Sequence, residues 1–169
     1  MSFDVALLIL RVVVGLILAG HGAQKLFGWF GGPGLAGMTG FLGSTGMRPA
    51  AFWAFMGGLT EFGGGLLIAL GLFSPVGELG VIAAMMMAIA KGHWGKGLWA
   101  TNGGSELPLT NLVVALALAL MGPGVYSLDS LLGIALPPLT FWVGLVLVIL
   151  GFAVALLGQA RQEVPSHSS

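Results

Sequence analysis

The 169-residue chain is 57% hydrophobic and 7% charged, has no cysteine, a formal net charge of zero and a mean hydropathy of +1.02. Soluble domains are about one quarter charged, so this composition indicates an integral membrane protein. The missing cysteine excludes disulfides, thiolate metal sites and iron–sulfur clusters held by this chain. The balanced charge, without a basic run, removes the electrostatic basis for nucleic-acid binding.

The N-terminus, MSFDVALLIL, carries Asp4 and no basic leader, so it reads as the start of a retained first span over about 5–27. At 100° per residue, Arg11, Gly15, Leu18, Gly22 and Lys25 fall within roughly 40° of one line. His21 sits at the edge of this stripe, which is expected to face the bundle interior. Residues 28–49 are glycine-rich. Trp29 and Phe30 suit a membrane interface, while Leu35, Met38, Phe41 and Leu42 fit either a short surface helix or a loop tucked over the bundle mouth.

The second span, about 50–73, is AAFWAFMGGLTEFGGGLLIALGLF, apolar apart from Thr60 and Glu61. A carboxylate midway across a ~30 Å hydrocarbon layer is costly and marks a site that needs a partner. Gly57, Gly58, Gly64 and Gly65 lie one turn to either side. With Gly15 and Gly22 they are expected to admit a neighbouring helix or a flat ligand close to the backbone. Matching the centres of the first two spans, near Leu16 and Glu61, places Arg11 and His21 about 7–8 Å to either side of the midplane. Arg11–Glu61 is then the preferred ion pair, with His21 a second partner and Lys25 bounding the same network.

Ser74 and Pro75 open a third helix, about 75–91, with Glu78 in its first turn at the positive end of the dipole. Its Met85–Met87 run reads as adaptable core packing. Residues 91–106 are polar, with Trp94 and Trp99 as interface anchors. Glu106 and Asn111 open a fourth span, about 107–121, and with Lys91 they could form the mouth of the Glu61 pocket, Glu106 also suiting a cap and rim salt bridge. Tyr126, Ser127 and Asp129 follow in an expected aqueous turn. A fifth span lies within 133–160, and a disordered tail follows at 161–169. His21 and His93 fall at different depths, which argues against a haem held between them. No metal cluster or nucleophile–base pair can be assembled, so no catalytic residue is assigned, and the chain is not expected to catalyse a reaction alone.

With five spans, Lys25, Arg48, Lys91, Lys96 and Arg161 fall on one side. This predicts the N-terminus outside and the C-terminus in the cytoplasm of a bacterial inner membrane.

Four segments resemble the DoxX family of small bacterial membrane proteins: LRVVVGLILAGHGAQKLFGWFGGPGLAGMTGFL, LTEFGGGLLIALGLFSPVGELG, GGSELPL and MGPGVYSLD, together spanning about 5–132. The resemblance implies an all-α membrane bundle with a four-helix core over 1–132, beyond which the fifth span is an addition. It puts weight on Arg11, Gly15, His21, Gly22, Lys25, Glu61 and Glu106. The family name is linked to a thiosulfate:quinone oxidoreductase subunit, which implies membrane-bound redox or detoxification assemblies. The expected function is therefore a membrane subunit or adaptor of a redox-related assembly, with a polar pocket around Glu61 for a quinone or lipid head group. The alternatives are a small-solute or proton permease gated by Glu61 and a structural anchor. The expected partners are the lipid bilayer and a membrane-associated redox subunit, and the sequence is compatible with a homo-oligomer.

Overall fold

The computed structural model describes residues 2–160, so the expected tail at 161–169, including Arg161, lies outside the described residues. The described residues are helical with no strand: α1 (Ser2–Phe27), α2 (Gly34–Ser44), α3 (Ala50–Leu70), α4 (Val76–Ala88), α5 (Glu106–Met121), α6 (Leu128–Leu132) and α7 (Leu139–Ala160). A π-helical turn, Ile89–His93, extends α4. Among the described residues, four helices are long and apolar enough to cross a membrane: α1, α3, α4 with its π turn, and α7. The expected fourth span is the shorter α5, whose 16 residues cover about 24 Å.

Helix α3 packs antiparallel on α1, α4 packs on α3, and α5 and α7 both pack on α4. Leu7 and Leu18 of α1, Ile68 of α3, Val81 and Met85 of α4, and Leu118 of α5 share one buried core. Helix α7 reaches it only at the margin, through Val148. Its Gly144 meets Leu79 of α4, while its outward face, including Val146, Leu150 and Val154, stays exposed as lipid-facing surface. Both alternatives for residues 28–49 hold in part. A helix does form there, and it lies on α3 with Leu42 buried against Met47 and Ala54.

The α1–α3 register is set by glycine. A Cβ on Gly15 would sit 2.6 Å from Gly65 O and Ala69 N, and one on Gly65 would sit 2.6 Å from Gly15 O. Gly22 lies against the Phe62 backbone, and Gly58 lies under the Leu26 side chain. At such contacts only a missing side chain lets two backbones touch. Gly64 plays the same part on the other face of α3, where its Cβ would be 2.7 Å from Gly77 O of α4. Gly57 does not. Nothing lies within 4 Å of its Cβ position, so the expectation that it packs a helix is corrected. It sits in the same turn as Gly58 but is rotated 100° away from α1.

This register places Glu61 opposite the Gly22–Lys25 turn of α1 and Arg11 opposite Gly71, at the far end of α3. The α1–α3 offset is about seven residues, roughly 10 Å, from the one obtained by matching span centres.

Candidate functional site

Two buried polar clusters result, one at each end of the α1–α3 contact. In the first, the Lys25 ammonium donates to Glu61 Oε1 as an ion pair. Glu61 is 1% exposed, and its second oxygen, Oε2, is buried with no hydrogen-bond partner among the described residues. Such an orphaned acceptor ordinarily costs about 1–3 kcal/mol, more if charged.

Two cavities meet at this pair. One, of about 300 Å³, lies under α2 and is lined by Lys25 and Glu61 with Met38, Trp53, Gly57 and Met87. The other, of about 280 Å³, lies toward α5 and is lined by the same pair with Leu18, His21, Pro108 and Asn111. His93 lines both. Its Nδ1 lies 2.6 Å from Gly103 O. A carbonyl can only accept, so Nδ1 carries the proton and Nε2 is the ring's remaining polar atom. The arrangement joins a cationic donor, an acceptor without a partner and an imidazole to walls of methionine, tryptophan and leucine. That is the usual build of a site for a small amphipathic molecule.

The second cluster seals the opposite end. The expected Arg11–Glu61 pair is not formed. The Arg11 guanidinium instead donates through Nη1 to Pro123 O and through Nη2 to Tyr126 O. Glu78 and Asp129 supply the negative charges nearest to it. Asp129, expected in an aqueous turn, is 2% exposed. Its carboxylate accepts the Phe73 and Ser74 N–H groups at 2.8 and 2.9 Å, and its own N–H donates to Gly71 O at 3.0 Å. The turn from α3 to α4 passes through left-handed conformations at Gly71 (φ 61°) and Phe73 (φ 53°), leaving donors that Asp129 satisfies. Ser74 Oγ donates to Glu78 at 3.1 Å, completing the cluster.

Of the expected site residues, the structure brings together Glu61, Lys25 and His21, and it places Asn111 and Lys91 on cavity walls. Glu106 is turned to another task, accepting the Ala100 N–H at 2.9 Å and so closing the loop before α5. His21 Nδ1 pairs with Gln24 Oε1 at 3.1 Å rather than with Glu61. His21 and His93 line the same cavity, the π turn carrying α4 two residues past its expected end at 91. Sequence reasoning missed His93, Trp53 and Met87 as cavity residues and Asp129 as a buried group. Only the proximity of Asp129 to a glycine- and proline-rich turn hinted at its role.

Fold and site together define a polytopic α-helical membrane protein with a polar site buried between its helices. The DoxX family profile matches residues 6–94, from α1 through the π turn of α4, and the chain belongs to the DoxX family. No curated protein and no solved structure matches it.

Proposed function

We propose that this protein is a membrane subunit or adaptor of a redox-related assembly in the bacterial inner membrane, and that it holds a quinone-type head group beside Glu61 and Lys25. One observation carries the reading: Glu61 Oε2 is buried without a partner where two cavities adjoin. A quinone would bring two-electron redox chemistry, and its carbonyl and hydroxyl forms alternate between accepting and donating hydrogen bonds. The residues present fit both forms. Lys25 can donate to a carbonyl, and Glu61 Oε2 can accept from a hydroxyl and hold its proton. His93 Nε2 offers a second acceptor at the rim.

The permease reading has less support. A through path would have to pass the glycine-sealed α1–α3 contact and the buried Arg11–Asp129 cluster, which favours a pocket open at one end. The helix directions suit five crossings. Lys25, Arg48, Lys91 and Lys96 gather at the pocket end, which on charge grounds is cytoplasmic.

Titration of a soluble quinone analogue, read by tryptophan quenching in detergent, tests the proposal. Glu61→Gln and Lys25→Met are each expected to weaken binding about tenfold, the worth of one hydrogen bond to a charged group. Unchanged affinity in both variants would overturn it.

A further inference from the structure

A third cavity, of about 330 Å³, opens between α3, α4 and α7. Its walls are apolar apart from Thr60, whose hydroxyl is spent on the Met56 and Gly57 carbonyls. It is continuous in lining with the cavity under α2, since Trp53, Gly57, Ala84 and Met87 border both. Helix α7 creates it by touching α4 at Gly144, against Leu79, and standing off further along, where nothing lies within 4 Å of the Gly151 Cβ position. The same holds for Gly57 on the opposite wall. Two open glycines thus face a cleft that adjoins the cavity holding the Glu61–Lys25 pair.

We propose that this cleft holds the long apolar chain of the ligand whose polar head sits at Glu61 and Lys25, so that the ligand is a chain-bearing amphiphile and α7 is the far wall of its tail site. The inference rests on the head-group reading given above, and it commits the site to a prenyl or acyl chain. The occupant follows from continuity: a head anchored beside Glu61 must lead its chain past Gly57, and the wall there is as apolar as lipid. Helix α7 lies beyond residues 6–94, the region matched by the family profile, so this wall is an addition to it.

The test fills the cleft. Gly151→Leu and Gly151→Phe place side chains of increasing size in the open space at a position that lines the tail cleft and neither head-group cavity. A substituted benzoquinone without a chain and its decyl derivative are titrated against each protein, alongside a single-chain lysophospholipid. Both variants are expected to bind the chainless quinone as wild type does and to lose at least about tenfold in affinity for the decyl compound, because the chain and the new side chain compete for one volume. An unchanged preference between the two quinones in both variants would overturn the tail site and leave the head-group reading standing. If no quinone binds wild type but the lysophospholipid does, and the variants lose it, the tail site stands and the quinone reading falls. If no chain-bearing probe binds in a way that either variant weakens, the tail site is wrong.

Discussion

Two buried charges with opposite fates decide the account at the level of single residues. Arg11 commits both Nη atoms to backbone carbonyls beside Glu78 and Asp129, its Nε alone being buried without a partner among the described residues, whereas the unpartnered oxygen of Glu61 lies where two cavities adjoin. Arg11→Leu leaves the Pro123 and Tyr126 carbonyls without their donor and removes the cation beside Glu78 and Asp129, so it is expected to cost about 1–3 kcal/mol for each buried group left unsatisfied. Thermal unfolding in detergent should show a large drop in midpoint. Glu61→Gln removes one charged hydrogen bond and leaves a polar group of the same shape, so its midpoint should stay within a few degrees of wild type while ligand binding falls. The reverse pattern, a stable Arg11 variant and an unfolded Glu61 variant, would exchange the two roles. Replacing the second pair as a unit, Lys25→Leu with Glu61→Leu, should be less destabilising than either single change, because neither charge is left alone.

Among the elements, the α1–α3 contact carries most of the specificity. Gly22→Ala drives a methyl into the Phe62 backbone and should cost more than about 2 kcal/mol, since the backbone itself must move. Gly57→Ala, one turn from Glu61 but facing open space, should be neutral or stabilising by up to about 1 kcal/mol through helix propensity. Comparing the two midpoints separates a packing glycine from a cavity glycine, which residue type alone cannot do. This is also where the sequence stopped being legible. The apolar runs located the helices to within a few residues, and an acid deep in one of them marked Glu61. Its partner was not readable, because hydrophobic length does not record how far one helix slides past another. That offset is written in backbone contacts at Gly15, Gly22 and Gly65, and it brings Lys25 rather than Arg11 to Glu61. Asp129 was hidden for a related reason. Its partners, the Phe73 and Ser74 N–H groups, lie more than fifty positions away and carry no side-chain signal.

For the whole molecule, the account describes a bundle closed at one end and hollow at the other. Arg11, Glu78 and Asp129 tie the closed end through the turn at 71–75 and the segment 122–129, while α2 and the loop before α5 cover the hollow end. The chain has no cysteine, so single cysteines report sidedness without background. Cysteines at Thr101 and Ser44 are expected to react with an impermeant maleimide only from the cytoplasmic face, and one at Leu131 only from the opposite face. Labelling of all three from one face would refute the five-crossing arrangement.

The central claim is that a ligand sits against the Glu61–Lys25 pair, and photolabelling with a quinone analogue followed by peptide mapping tests it most directly. The account predicts adducts on the cavity-lining stretches around Trp53 and Met87, lost in Glu61→Gln. Adducts confined to the lipid-facing surfaces around Leu16 and Val154, and undiminished in that variant, would contradict it.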